Sequence, residues 1–370
     1  MIKEFIKNWV GFKTSRKIVV FSVDDYGNVR VDSKKARENM DACGLKKFSR
    51  FDEYDTLECT EDLEHLFETL TSVKDKNDHP AVFTPFALTS NLDFEKIIEN
   101  KFKFVYTERL DKTFEKKSII DPTNYRGTWD LWKEGIQSGI FVPQFHGKVH
   151  FNNTFYYSKM ENMDYDIQNA IINRSYTSIN PSLLPTITPY ATYDFNNPDE
   201  LDYLDEMICS GVKEFSELFG YQPNHFMPPG AKVSCRNLEH SYKCGLSFVD
   251  RGLIHKSHIG FGKYEYSYNY TGRKLKWGQK VIVRNSVFEP TQNKDAVKNV
   301  LKSIETIFLM NRPVIISSHR VNYCGHISPK NRELGINALR DLLKSLVAIY
   351  PDIEFMSCSE LGQLIDNNQN

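Results

Sequence analysis

Apolar and β-branched residues run without alternation through Ile18-Val19-Val20-Phe21-Ser22-Val23, and the run stops abruptly in Asp24-Asp25-Tyr26-Gly27. A run that lacks alternation predicts a strand covered on both faces of a sheet. Comparable strand-like runs occupy 81–86, 102–106, 140–145, 246–249, 280–283, 313–318 and 353–356. Between them apolar residues fall at helical spacing. Helices are predicted over 32–43, after Thr60, near 92–99, over 128–139, from Asn197-Pro198 to Gly220, over 234–244, over 294–310 and from Ser328-Pro329 onward. A last helix is signalled by the capping box Ser357-x-x-Glu360. Strands alternating with helices call for a parallel sheet or barrel. In such folds ligands gather at the carboxyl ends of the strands.

Two stretches break this rhythm. Residues 151–197 are rich in Asn, Tyr and Pro and predict one helix near 161–174 within a long loop, a lid or a substrate-shaping insertion. Tyr264, Tyr266, Tyr268 and Tyr270 share one face of a strand by the period-two rule, with a turn at Gly272. An aromatic face can stack on sugar rings, but packing of a hairpin on the core is its commoner use. Without an internal repeat or a linker, 1–370 reads as a single domain.

A formal charge of −1 argues against a nucleic-acid or anionic-membrane surface. No run approaches a membrane span, and the charged 1–10 segment is no signal peptide, so a cytoplasmic location is expected. That segment is expected to form a short helix packed on the body of the protein. Seven scattered cysteines, with no C-x-x-C pair, suggest reduced thiols.

The candidate chemistry sits where the strand-like runs end: Asp24 and Asp25, His146 and His150, Pro228-Pro229-Gly230, Asp250 and His319 all fall at one rim of a parallel sheet. His146-x-x-x-His150 lacks the Glu of the zinc-protease helix, so a neighbouring carboxylate must supply a third ligand or a base. Two imidazoles and one carboxylate leave a position for water, the catalytic pattern for zinc. One of Asp24 and Asp25 would bind the ion while the other takes a proton. Asp250 reads as a partner of His319 or of Arg251, the latter preferred. His225, His255, His258 and His326 read as polar-surface or satisfied histidines.

In order, Ser-Val-Asp24-Asp25-Tyr-Gly27, His146-x-x-x-His150, Phe226-Met-Pro228-Pro229-Gly230 and Ile315-Ile-Ser-Ser-His319 resemble the motifs of the polysaccharide deacetylases (NodB homology, carbohydrate esterase family 4). The resemblance implies a distorted (β/α) barrel of about seven parallel strands. It implies Asp24 as base, Asp25, His146 and His150 as ligands of a divalent metal, most simply zinc, and His319 as acid. Pro228, Pro229, Gly230 and Arg320 would meet the substrate, an N-acetylated (or O-acetylated) sugar or polysaccharide precursor. The sequence departs from the family in three places. Tyr26 separates Asp-Asp from Gly27, as in the YdjC-type sugar deacetylases; Gly147 replaces the usual Ser or Thr; and Met227 stands where an arginine orients the base, a place that Arg320 or Arg284 could fill. Two other readings compete: a glycoside hydrolase on a related barrel, using two carboxylates and no metal, and a non-catalytic sugar-binding protein.

Overall fold

The computed structural model describes residues 2–180 and 187–368. Its strands, in chain order, are β1 (Lys17–Tyr26), β2 (Phe83–Leu88), β3 (Ser90–Leu92), β4 (Thr107–Arg109), β5 (Gln144–Gly147), β6 (His225–Phe226), β7 (Phe248–Asp250), β8 (Ile254–Gly260), β9 (Lys263–Tyr268), β10 (Lys280–Ile282), β11 (Ser286–Val287), β12 (Val314–His319) and β13 (Ile353–Phe355). Nine of them form one parallel sheet in the order β10-β7-β6-β5-β2-β1-β12-β11, with β13 also paired to β1.

The sheet's two ends, β10 and β11, are separated in sequence by only Val283, Arg284 and Asn285. Four residue steps span at most about 14 Å, so the sheet must curl until its edges meet. The chain itself crosses the seam, which makes a distorted (β/α) barrel. β1 is an interior strand, paired with β2, β12 and β13. From Ile18 to Val23 it is fully buried, which is why its sequence shows no alternation.

Most predicted helices are present, but several local expectations are corrected. Residues 102–106 are no strand: Lys101 and Phe102 take positive φ in a turn that ends the helix Phe94–Glu99, and pairing begins later, between β3 and β4. The single helix near 161–174 is two, Asn153–Glu161 and Tyr165–Ile172, broken where Met163 turns left-handed. Residues 181–186, within the same 151–197 stretch, lie outside the described residues. The helix Leu110–Ile120 gave no clear signal, since it buries only Leu110, Thr113 and Phe114.

The tyrosine strand β9 pairs antiparallel with β8 through a turn at Phe261-Gly262, and the turn expected at Gly272 follows the tyrosine run. Tyr264, Tyr266 and Tyr268 share its face, while Tyr270 lies beyond it. Tyr266 and Tyr268 are exposed instead of core-packed. Cys209 and Cys244 are joined in a disulfide, against the expectation of reduced thiols; helix Leu201–Phe219 packs on helix Cys235–Lys243 and brings their Cα atoms to 5.8 Å. Sequence spacing could not reveal that contact. The short helix Ile2–Asn8 is followed by a turn anchored by Arg312, which donates to the carbonyls of Asn8, Trp9 and Gly11, though Phe5, Ile6 and Trp9 stay exposed. Among the described residues no helix is long and apolar enough to cross a membrane.

Candidate active site

Adjacent residues of a regular strand point to opposite faces, so Asp24 and Asp25 could not both serve one cavity from an ideal β1. The register of β1 against β2 shifts between Val23 and Tyr26, and Asp25 takes φ +77°. Aspartate is among the few side chains that tolerate this left-handed conformation. The bulge re-aims the chain, and both carboxylates line the same cavity of about 460 Å³ at the rim of the barrel. Gly27 completes the turn. Its φ is +75°, and a Cβ there would stand 2.8 Å from Leu110 and 3.2 Å from the carbonyl of Leu88.

Asp25 is surrounded by the two predicted histidines. Its Oδ1 lies 2.9 Å from Nε2 of His150 and 3.4 Å from Nε2 of His146. His146 donates from Nδ1 to the Met227 carbonyl at 2.6 Å, which leaves its Nε2 lone pair facing Asp25. Gly147, at φ +143°, lets the chain leave β5 where a Cβ would meet Tyr193 Oη at 3.1 Å. Burial opposes the Asp25 charge, yet the imidazoles and Arg30 hold its carboxyl well below the usual range. Burial also holds His150 below the ordinary imidazole value, despite the pull of Asp25. Nδ1 of His150 is buried without a partner.

One carboxylate oxygen and two imidazole nitrogens, all within 4.8 Å of one another, suit a divalent cation of zinc type. A second donor cluster, Cys209, His240 and Cys244, has its two sulfurs taken by the disulfide.

Asp24 is held differently. Arg284, on the seam between β10 and β11, grips both its oxygens at 2.6 and 2.7 Å. The same guanidinium donates from Nε to Asp250 at 2.7 Å, and Asp250 meets Nε2 of His225 at 3.1 Å. Asp250 therefore partners neither His319 nor Arg251, as the sequence had suggested. Burial works against its charge, but Arg284 and His225 keep its carboxyl below the ordinary value. Arg284 stands where the missing motif arginine was sought. Arg320 does not: at 1 % exposure it is locked between Asp55 (2.7 Å) and Glu58 (2.8 Å). It braces the site from below, because Glu58 accepts the backbone N–H of Gly27.

His319 is in register with Asp24 on neighbouring parallel strands, so the two side chains share a face. Their separation is 3.8 Å from Nε2 to Oδ2. Nδ1 of His319 donates to Glu289 at 2.6 Å. Burial would lower its pKa, but Glu289 and the two aspartates raise it to about 8. Arg50 and Asn322 fix Glu289 from its other side.

Of the proline motif, Gly230 lines the cavity with Met227 and Ala231, and Pro228 and Pro229 do not. Arg30, Phe51, Thr188, Tyr190 and Arg251 also stand on the wall. Sequence reasoning passed over Arg30 and Glu289. Arg30 stands 3.9 Å from Asp25, ion-pairs Asp55 at 3.2 Å and stacks on Phe51 and Tyr190. It lies only three residues past Gly27, a signal that could have been read; Glu289 sits in a loop with no motif around it. Of the four histidines read as polar-surface or satisfied, His258 pairs with Asp194 and His326 with Tyr125 and Asp121. His255 is buried with Nε2 unpartnered.

No protein-family model and no curated protein matches the chain. Among solved structures it is similar to a protein from Parabacteroides distasonis described as a glycoside hydrolase/deacetylase, with TM-score 0.50 at 11% identity over 96% of this chain and 73% of that one. The fold is that of the glycoside hydrolase/deacetylase barrels. A protein of Mycobacterium smegmatis described as a polysaccharide deacetylase follows, at TM-score 0.46 and 10% identity over 97% and 94% of the two chains. A 4-alpha-glucanotransferase of Thermococcus litoralis gives TM-score 0.43 and 11% identity over 93% of this chain and 40% of that one. A fold alone does not fix a chemistry, so function has to be argued from the site.

Proposed function

We propose that this protein is a metal-dependent hydrolase that removes acetyl groups, in the first place N-acetyl groups, from a sugar or polysaccharide precursor. The observation that carries the reading is the meeting of two arrangements in one cavity: the donor set Asp25, His146 and His150, and beside it the pair Asp24–His319. Asp25, His146 and His150 would hold the ion, with zinc the best match to their donors. Bound there, it supplies Lewis acidity to an acyl carbonyl and to water.

The chain's own residues handle the protons. Arg284 fixes both oxygens of Asp24 and leaves lone pairs free. Asp24 takes a proton from the attacking water as its oxygen bonds to the acyl carbon. His319, charged at neutral pH, gives its Nε2 proton to the departing nitrogen as the C–N bond breaks. Acetate and a free amine result. Glu289, which accepts from Nδ1, holds the charged ring in the orientation that presents this proton.

Glycoside hydrolysis fits less well. It needs one carboxyl group kept protonated by a raised pKa. The three carboxylates on the cavity wall are Asp24, Asp25 and Asp250; two are held low and the third is clamped by an arginine. The test is acetate release from a panel of N-acetylated saccharides, with and without chelator. Chelator-sensitive release restored by zinc is expected. Cleavage of glycosidic bonds without acetate, or activity indifferent to chelator, would overturn the reading.

A further inference from the structure

The arginines buried in this protein almost all have their donors met by carboxylates or backbone carbonyls. On the cavity wall, Arg284 serves Asp24 and Asp250, and Arg30 serves Asp25 and Asp55. Away from it, Arg37, Arg320 and Arg332 each pair with carboxylates, and Arg312 gives its donors to three backbone carbonyls. Arg251 is the exception. It follows the last residue of β7, lines the cavity and is 5 % exposed, yet among the described residues its guanidinium has neither an ion pair nor, unlike Arg312, a set of carbonyl acceptors.

Its contacts are sparse. Nη2 donates to Ser257 Oγ at 2.8 Å, and Nε is buried with no acceptor. Its ionisable neighbours are the thiol of Cys235, within hydrogen-bonding reach, a second cation, Arg273, and the His255 ring. Burial without a counter-charge pulls its pKa below the ordinary guanidinium value. Next to it His255, also 5 % exposed, has an unpartnered Nε2. Burial first, and then the charge of Arg251, lower His255 to about 4, so its ring is neutral and can donate one hydrogen bond.

An unpaired buried charge is costly. One placed on the wall of a binding cavity lowers that cost only when a ligand brings the opposite charge. We infer that Arg251, with His255 and Ser257 behind it, is the anchor for an anionic substituent of the substrate, a carboxylate or a phosphate carried by the sugar. The planar guanidinium suits both groups, which can accept two of its N–H donors side by side. The inference rests on the saccharide reading of the cavity and adds to it: the substrate is a charged sugar, and Arg251 sets that preference.

The experiment separates this inference from the deacetylase reading. Inorganic phosphate, glucuronate, glucose 1-phosphate and neutral glucose are titrated calorimetrically into wild-type protein, Arg251→Gln and Arg251→Lys. All three proteins are first stripped with chelator, so that no anion is held by a metal. Wild type should bind at least one of the three anions and not glucose. Arg251→Gln should lose about 30-fold or more in affinity, and Arg251→Lys should retain part of it. Whether glucuronate or glucose 1-phosphate binds tighter tells carboxylate from phosphate. Without anion, Arg251→Gln should melt at or above the wild-type temperature, since it removes an uncompensated charge; this also verifies its fold. Equal anion binding by wild type and a folded Arg251→Gln, or no anion binding by wild type, overturns the inference. Arg251-dependent anion binding without acetate release from any saccharide would sink the deacetylase reading and leave this one standing.

Discussion

If His319 is the acid, Glu289 decides the pH at which it works. The carboxylate accepts from Nδ1 at 2.6 Å and raises the imidazole from 6.5 to about 8 against burial, with help from Asp24 and Asp25. Glu289→Gln keeps an oxygen acceptor of the same shape and removes the charge. Burial then has less to oppose it, and the His319 pKa should fall back toward about 6.5. At pH 7.5 the protonated fraction would drop from about three quarters to about a tenth, and at pH 6 it would change little. Acetate release should therefore fall roughly eightfold at pH 7.5 and by less than about twofold at pH 6, with the alkaline limb displaced to lower pH. The assay is kcat against pH for both proteins, with the His319 ring followed in parallel by NMR. An alkaline limb that stays in place while the ring pKa drops would show that His319 is not the acid. The linkage has a definite sign. Since folding raises this pKa, its stabilisation is complete below about 6.5 and is lost as pH rises through about 8. Its size is about 1–2 kcal/mol after allowance for the third of the side chain open to solvent.

His150→Ala should lose most of its zinc after dialysis, measured by elemental analysis; equal metal content in mutant and wild type would remove His150 from the donor set. Arg284→Gln leaves Asp24 and Asp250 buried without their common partner, and denaturant unfolding should show a loss of about 3–5 kcal/mol. Gly335 packs so tightly on the turn after His319 that an added Cβ would stand 1.7 Å from the Asn322 carbonyl. Gly335→Ala should cost about 3 kcal/mol or more by the same measurement.

The parts that could be read in the sequence were those in which one local pattern dictates one local outcome. The unalternating run of β1 and the strand-end positions of the aspartates and histidines required only that strands alternate with helices. What escaped depended on contacts distant in sequence. Nothing around Asp25 announces a left-handed residue, although both carboxylates face one cavity because of it. Glu289 meets His319 across 30 residues, and Arg284 meets Asp24 across 260. The exposed tyrosines of β9 show the opposite failure, a clear period-two pattern whose apolar face was assumed to be covered.

Arg284 also ties the site to the closure of the barrel. Residues 283–285 are the link between the two ends of the sheet, so the position of this guanidinium follows from how the seam closes. Its neighbour Asn285 accepts from the Ile315 N–H at 2.8 Å and donates to the Pro313 carbonyl at 2.9 Å, which fixes the seam against β12. β12 carries His319 at its end. One short segment thus sets the orientation of Asp24 through Arg284 and the path of the strand that delivers His319. Replacing the motif residue at 227 by methionine removes nothing from this arrangement. Met227 still gives His146 its carbonyl, and the positive charge facing Asp24 is supplied from the seam. The geometry requires a guanidinium beside the Asp24 carboxylate, and it does not prescribe which strand end supplies it.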